Sequence, residues 1–195
     1  MKHIYLKGTN DKTLILLHGT GGNEEDLIPL AKLIDKDANI LSLRGNVKEG
    51  NMNRFFRRLG FGVFDLEDVE FRSHETLNFI KEASQTYQFD ITKTTAIGYS
   101  NGANLLLSML FLTEVPFDKL VLSHPMLTFK DKPILKQQTK TLITYGINDQ
   151  MTTITDTLNL VKLVETAMPT DKFSHQNGHS LTNDEVNYMK AFYQK

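Results

Sequence analysis

The sequence contains no cysteine in its 195 residues. Without thiols the chain can form no disulfide or thiolate metal site and can use no cysteine nucleophile. Its six histidines also lack the paired spacing of a zinc-binding helix. His175 and His179 are four residues apart, but Gly178 lies between them and the preceding residues are typical of a strand end. The pattern therefore predicts no metal site.

Long apolar runs and stretches of like charge are also absent. No apolar segment of signal-peptide length follows the N-terminus, and the early run Leu14–Leu17 is too short to cross a bilayer. The formal net charge is -1, with no long run of Lys or Arg, so a nucleic-acid or anionic-membrane surface is not indicated. We expect a cytoplasmic protein with no nucleic-acid partner and no integral membrane association.

Short β-rich runs alternate with longer helical segments along the chain. The length and the apolar fraction of 40% fit one globular domain over residues 1–195. Compact apolar strands, alternating with helices, predict an α/β fold with a mostly parallel sheet and helices on both faces. The predicted strands are Ile4–Leu6, Thr13–Leu17, Asn39–Leu43, Thr94–Tyr99, Lys119–Ser123, Lys140–Tyr145 and Asp171–Gln176; the predicted helices are Asp26–Ile34, Leu66–Tyr87, Asn101–Leu112, Thr153–Ala167 and Asn183–Tyr193.

The strongest chemical signal is the pattern Gly-Tyr-Ser-Asn-Gly around Ser100. It follows an apolar strand and opens a helical run, where a tight turn needs glycine on either side of the serine. Such a turn presents the serine hydroxyl as a nucleophile, near the positive end of the following helix. A purely structural turn is the alternative, but the strand-before and helix-after context favours a catalytic Ser100.

A serine nucleophile needs a base and an acid that orients the base, which in this type of fold follow in the order serine, acid, histidine. Asp149 comes just after a predicted strand, although a polar turn there would also favour Asp. His179 lies between the last strand and the last helix, and we predict it to be the base. His175 is the rival, but a strand position leaves it less free to reach Ser100. His124 precedes Asp149 and is predicted to be a pocket wall, with a histidine that is simply hydrogen-bonded before Pro125 as the alternative.

Acyl transfer also requires hydrogen-bond donors for the developing oxyanion. One predicted donor is the backbone N–H of Asn101, directly after the nucleophile. The second is the N–H of Thr20, in the glycine-rich segment His18–Gly22 that follows an early strand. A phosphate-binding loop is the alternative for this segment, but the Gly-Lys-Ser/Thr ending and the dinucleotide glycine spacing are both missing.

The stretch from Arg44 to Asp65 is predicted to be irregular and to form part of a pocket, because long loops at strand ends tend to carry function. Phe55 and Phe64 are candidates to line that pocket, together with Met126 after the strand Lys119–Ser123. Three arginines of this stretch, Arg54, Arg57 and Arg58, are candidates to contact an acidic group. An ordinary packed edge with a solvated rim is the alternative.

Taken together, these residues resemble the phospholipase/carboxylesterase family of small α/β-hydrolases, which includes the acyl-protein thioesterases. The Arg-Phe-Phe-Arg-Arg segment is similar to a bacterial esterase subgroup. The matching stretches are Leu16–Ala31, Arg44–Arg58, Gly62–Val69, Gly98–Leu105, Gly146–Thr152 and Asn177–Ser180. They follow one another in order across nearly the whole chain, so the match is more specific than any single motif.

The resemblance implies an α/β-hydrolase fold, a Ser100–Asp149–His179 triad, an oxyanion hole at Thr20 and Asn101, and no metal or cofactor. It implies a small-molecule ester as substrate. Thioester or lysophospholipid hydrolysis by the same triad, and a non-catalytic ligand-binding sensor, are the alternatives. Acyl-protein thioesterases usually carry Gln where this chain has Asn101, so the resemblance does not extend to a long-chain thioester specificity. The sequence leaves the oligomeric state open, a homodimer included.

Overall fold

The computed structural model describes residues 1–195 and contains eleven strands and five α-helices. The strands are β1 (His3–Leu6), β2 (Thr13–Leu17), β3 (Asn39–Leu43), β4 (Val47–Glu49), β5 (Met52–Arg54), β6 (Arg58–Gly60), β7 (Val63–Phe64), β8 (Thr94–Tyr99), β9 (Lys119–Ser123), β10 (Lys140–Gly146) and β11 (Thr170–His175). The helices are α1 (Ile28–Ile34), α2 (Leu66–Tyr87), α3 (Asn101–Leu112), α4 (Ile154–Glu165) and α5 (Asn183–Gln194).

Seven of the strands form one central sheet in the order β1-β3-β2-β8-β9-β10-β11. Only β1 runs antiparallel to its neighbour, and the other five neighbouring pairs are parallel. Every residue of β2, β3 and β9 is buried, as expected for parallel strands covered on both faces. The predicted mostly parallel α/β sheet is therefore confirmed.

Helices pack against both faces of this sheet. Alternate residues of β2 separate into two apolar clusters, with Leu14 and Leu16 in one and Ile15 and Leu17 in the other, because successive strand side chains point to opposite faces. The first cluster includes buried residues of α1 and α5, and the second includes buried residues of α2, α3 and α4. This two-sided cover holds the carboxyl ends of the parallel strands at one edge, where their following loops meet.

The stretch 44–65 is not irregular, so that prediction was wrong. It forms two antiparallel hairpins, β4 with β5 and β6 with β7. These strands are two or three residues long, too short for an alternating apolar pattern to reveal them. The predicted first helix also begins later, at Ile28, with Pro29 in its first turn, a position where proline fits without loss of a hydrogen bond.

None of the five helices combines the length and the apolar character that a membrane-spanning segment requires.

Candidate active site

Ser100 stands on a strained turn between β8 and α3. Its φ is 50° and its ψ is -111°, a backbone region that costs a non-glycine residue on the order of 1–3 kcal/mol. A Cβ on Gly98 would lie 2.6 Å from the Ala103 nitrogen, and one on Gly102 would overlap the Leu17 carbonyl. Only glycine fits at both positions, so the turn brings Ser100 to the edge of the sheet as the motif predicted.

Asp149 and His179 reach Ser100 from two loops that pack closely together. The loop with Asp149 follows β10, and the loop with His179 follows β11. A Cβ on Gly146, at the end of β10, would overlap the Gly178 carbonyl, so the two loops touch through glycine backbones. Tyr99 donates a hydrogen bond of 2.8 Å to the backbone carbonyl of His179 and so ties this loop to the strand before Ser100.

The three side chains form a continuous hydrogen-bonded line. His179 Nδ1 lies 2.7 Å from Asp149 Oδ2, and His179 Nε2 lies 2.8 Å from Ser100 Oγ. An ionised carboxylate only accepts, so Nδ1 carries the hydrogen and Nε2 is the acceptor that faces the serine hydroxyl. The second oxygen of Asp149 accepts the Met151 N–H at 2.8 Å. Burial by itself would raise the pKa of Asp149, but the hydrogen bonds from Met151 and His179 outweigh it and hold that pKa below its ordinary value.

A second buried polar group lies behind Asp149. His124 Nδ1 is 3.3 Å from Asp149 Oδ2, and its Nε2 is 3.4 Å from Glu185 Oε2. Glu185 is fully buried and accepts a hydrogen bond of 2.6 Å from Thr144 Oγ1. Burial would raise the pKa of Glu185, but its hydrogen bonds with His124 and Thr144 keep it lowered. His124 thus lies between the carboxylates of Asp149 and Glu185, and the pKa of each carboxylate is lowered.

Two histidine predictions are clarified by this arrangement. His124 was expected in the wall of the substrate pocket, but its side chain is completely buried and lies behind Asp149, so that expectation was wrong. His175, the rival base, lies at the end of β11 with Nε2 3.2 Å from Glu185 Oε2. The hydroxyl of Ser100 is in contact with His179 instead.

Glu185 is not among the site residues predicted from the sequence. Its sequence signal is the spacing Thr182-x-x-Glu185, which predicts a capping box at the start of a helix. That capping box is present at the N-terminus of α5. The carboxylate therefore has two roles, helix capping and contact with His124, and only the first leaves a local pattern.

The segment His18–Gly22 after β2 is held in place by both a buried histidine and β5. His18 Nδ1 lies 2.6 Å from the Gly19 carbonyl, while its Nε2 accepts the Gly45 N–H at 3.1 Å. Burial lowers the pKa of His18, which agrees with a neutral ring that donates at one nitrogen and accepts at the other. Gly21 N–H bonds to the Asn53 carbonyl at 2.9 Å.

Two backbone N–H groups of residues beside Ser100, those of Thr20 and Asn101, have no backbone hydrogen-bond partner. The N–H of Thr20 makes no hydrogen bond within the protein, and its side-chain oxygen accepts from Arg54 Nη1 at 2.9 Å. Asn101 is the first residue of α3, so its N–H has no partner within the helix. The Asn101 side chain instead accepts the Phe55 N–H at 2.7 Å. This bond joins the turn at Ser100 to residues 44–65, the segment that carries the two short hairpins (the hairpin segment).

A small cavity of about 40 Å³ opens beside Ser100. Phe64 and Met126 line it, as predicted. Phe55 does not: its side chain is only 1% exposed and packs in the core with its ring centre 4.8 Å from that of His18. The full lining is Thr20, Arg54, Arg58, Phe61, Gly62, Phe64, Ser100, Asn101, Asn104, Met126 and Met151. A wider depression of about 250 Å³ lies on the other side of Thr20, next to Tyr99 and Leu181.

A serine–histidine–aspartate line at the carboxyl edge of a mostly parallel sheet places the chain in the α/β-hydrolase class. Comparisons with known proteins narrow this class. No protein-family model matches the chain. A Bacillus subtilis (strain 168) protein named "Putative hydrolase MhqD" is 40% identical over 197 residues, which cover 100% of this chain and 98% of that protein.

Solved structures of esterases and related proteins are also similar to this chain over nearly its whole length. The Bacillus cereus carboxylesterase has a TM-score of 0.96 and 42% identity, over 100% of this chain and 93% of that one. The structure of YahD with malic acid has a TM-score of 0.92 and 29% identity, over 99% and 98% of the two chains. The chain therefore belongs to the phospholipase/carboxylesterase family of small α/β-hydrolases, and it is a hydrolytic enzyme of the esterase type.

Proposed function

We propose that this protein is a serine carboxylesterase that hydrolyses small carboxylic esters through an acyl-enzyme. The observation that carries the proposal is the hydrogen-bonded line from Asp149 through His179 to Ser100, with distances of 2.7 and 2.8 Å. These are the distances at which a base can take the proton of a nucleophile. The related Bacillus cereus carboxylesterase supports an ester as the substrate.

In this mechanism Ser100 Oγ attacks the ester carbonyl while His179 Nε2 takes its proton. Asp149 keeps the imidazole ring oriented and stabilises its positive charge. The N–H groups of Thr20 and Asn101 donate to the oxyanion of the tetrahedral intermediate, which forms only after attack. His179 then returns the proton to the leaving alcohol, and a water molecule activated by the same histidine releases the acid from Ser100.

The dimensions of the cavity favour a small group on one side of the ester. The cavity beside Ser100, about 40 Å³, is much smaller than the depression of about 250 Å³ beside Tyr99, so a long acyl chain is expected in the depression and a small group in the cavity. Thioester or lysophospholipid hydrolysis requires the chain to lie in the wider depression beside Tyr99, so chain-length preference distinguishes the two substrate classes.

The first test is mass spectrometry after treatment with a fluorophosphonate probe, together with a p-nitrophenyl ester assay across acyl chain lengths. We expect a single adduct on Ser100, a matching loss of turnover, and highest kcat/KM for short acyl chains. The matched control is Ser108→Ala, since Ser108 is a buried serine on α3 outside the line of the three residues. Ser100→Ala should abolish both labelling and turnover.

Other outcomes distinguish the alternatives. A steep preference for long acyl chains would favour the hypothesis of a thioesterase or lysophospholipase. A well-folded protein that binds esters but gives neither adduct nor turnover would favour a ligand-binding sensor. Ester turnover that persists in Ser100→Ala would contradict the proposed nucleophile.

A further inference from the structure

Two arginines, Arg54 and Arg58, line the cavity beside Ser100, and no carboxylate lines it. Both belong to the hairpin segment, at the end of β5 and the start of β6. The side chain of Arg54 is only 4% exposed, and that of Arg58 is 24% exposed. Fully charged side chains are seldom buried to this degree unless they are paired, so the partners of the two guanidinium groups decide what the cavity can bind.

The two arginines share one carboxylate. Arg58 Nη2 lies 2.7 Å from Glu49 Oε1, and Arg58 Nε lies 3.0 Å from both oxygens of Glu49. Arg54 Nε lies 3.4 Å from the same carboxylate. The other close partners of Arg54 are neutral: the Phe56 carbonyl at 3.2 Å and the Thr20 hydroxyl at 2.9 Å. Two positive charges therefore face one negative charge.

The electrostatic environment of Arg54 agrees with this excess. Burial lowers the pKa of Arg54, the nearby Arg58 lowers it further, and Glu49 only offsets part of the effect. A guanidinium has five N–H donors, and Arg54 uses Nε and Nη1 within the protein. An anion in the cavity would supply the missing negative charge and accept the remaining donors.

Arg57, between these residues in the chain, differs in every respect. It is 61% exposed, does not line the cavity, and faces the two carboxylates of Asp65 and Asp68 at 3.1 and 3.7 Å. Arg57 therefore has Asp65 as its own partner and shares Asp68 with Arg72. Beside Ser100, in contrast, Arg54 and Arg58 share the single carboxylate of Glu49.

We infer that the preferred esters carry a second, free carboxylate a few bonds from the ester carbonyl, and that Arg54 and Arg58 recognise it. A planar carboxylate matches the fork of a guanidinium and is small enough for the cavity. The ester would then place its carbonyl at Ser100 and its acid group in the adjacent cavity. This inference rests on the proposed esterase function and specifies its substrate class.

The test compares anionic esters with neutral esters of nearly the same shape. Monoethyl succinate and ethyl levulinate place the acid or its neutral counterpart on the acyl side. Acetoxyacetate and acetoxyacetone place it on the alcohol side. The readout is the ratio of kcat/KM for the anionic ester to that for the neutral one. We expect a ratio of about ten or more in one arm, the size of effect typical of charge-assisted hydrogen bonds, and that arm identifies the side of the ester that enters the cavity.

Substitutions of Arg58 and of its partner Glu49 should change this ratio in opposite directions. Arg58→Gln leaves one cation for one carboxylate and should lower the ratio about tenfold, whereas Arg58→Lys keeps the charge and should retain most of it. Glu49→Gln removes the shared carboxylate and should raise the ratio. Arg57→Gln is the matched control and should leave the ratio unchanged. Raising the salt concentration should weaken the preference, because screening acts on the partly exposed Arg58.

A ratio near one or below in both arms, or a ratio unaffected by Arg58→Gln and Glu49→Gln, would overturn the inference. Hydrolysis of the neutral esters that still depends on Ser100 would show that the esterase proposal holds even when the inference fails. If the wild-type protein hydrolysed none of these esters, the proposed function itself would be contradicted.

Discussion

The two halves of the site are built in different ways. Ser100, Asp149 and His179 lie on loops that follow β8, β10 and β11 of the central sheet, where glycine backbones meet at close range. The opposite half consists of the hairpins β4–β5 and β6–β7, whose outer residues include Leu59 at 75% and Phe61 at 68% exposure. The first half has almost no freedom to vary, while the second can change side chains at its surface with little effect on the core.

This difference teaches that reaction and selectivity are carried by separate parts of the molecule. The proposed reaction depends on three atoms held within hydrogen-bond distance by the parallel sheet. The proposed selectivity depends on charges on a segment outside the central sheet, which is joined to it by contacts such as Phe55 N–H to Asn101 Oδ1. Substitutions in the first half should affect kcat, and substitutions in the second half should affect KM or substrate preference.

The largest effect is expected from Asp149→Asn. The amide would have the same shape but would not hold His179 with its Nε2 free to accept, and the lost charge would not stabilise the imidazolium. We expect kcat to fall about 10⁴-fold, as for this change in serine proteases, with a much smaller change in KM. Steady-state kinetics with a short p-nitrophenyl ester measures both, and a change confined to KM would contradict the role assigned to Asp149.

A smaller effect is expected from Glu185→Gln, behind the triad. Glu185 holds His124, which in turn lies against Asp149, so its loss should disturb the orientation of Asp149 without any contact with substrate. We expect kcat to fall about tenfold, as for other residues that support a catalytic group, while KM stays nearly constant. The control is Glu82→Gln, at an exposed carboxylate on α2. If this control changed kcat and stability as much as Glu185→Gln does, the role assigned to Glu185 would be contradicted.

The same variant gives a pH prediction. The pKa values of Asp149 and Glu185 lie below their ordinary values of 3.8 and 4.5 in the folded protein. Such groups stabilise the fold above their unfolded pKa, and that contribution is lost as the pH falls through the folded pKa. The free energy of unfolding should therefore decrease on acidification below about pH 4.5, and less steeply in Glu185→Gln. Urea unfolding at several pH values measures the slope, and identical slopes would exclude a contribution from Glu185.

The smallest effect is expected at the tip of the second hairpin. Phe61 is exposed and lines the cavity, so Phe61→Ala should raise KM about two- to threefold by removing contact with substrate, with kcat nearly unchanged. The free energy of unfolding should change by less than about 0.5 kcal/mol, as for other surface positions. Leu59→Ala, on the same hairpin but outside the cavity, is the control. If Phe61→Ala lowered kcat by a larger factor than it raised KM, the assignment of reaction and selectivity to separate halves of the site would be contradicted.

The sequence predicted the strands and the Ser100 turn of the first half of the site because their signals are local. The turn around Ser100 must have glycine on both sides, and the strands that lead to Asp149 and His179 are compact apolar runs. The hairpin half was predicted less well. Its strands are too short to show a period, and nothing local distinguishes Phe55, which packs in the core, from Phe64, which lines the cavity.

By itself, then, the sequence determined the α/β class, the glycine-flanked turn at Ser100 and the strands after which Asp149 and His179 lie, because backbone sterics and apolar patterning act over a few neighbouring residues. Only the tertiary structure decided that His124 lies behind Asp149 rather than in the pocket, that Glu185 joins it, and that Arg54 and Arg58 share one carboxylate. These facts depend on contacts between segments far apart in the chain, such as the 61 positions between His124 and Glu185, and no local pattern records which distant side chains will meet.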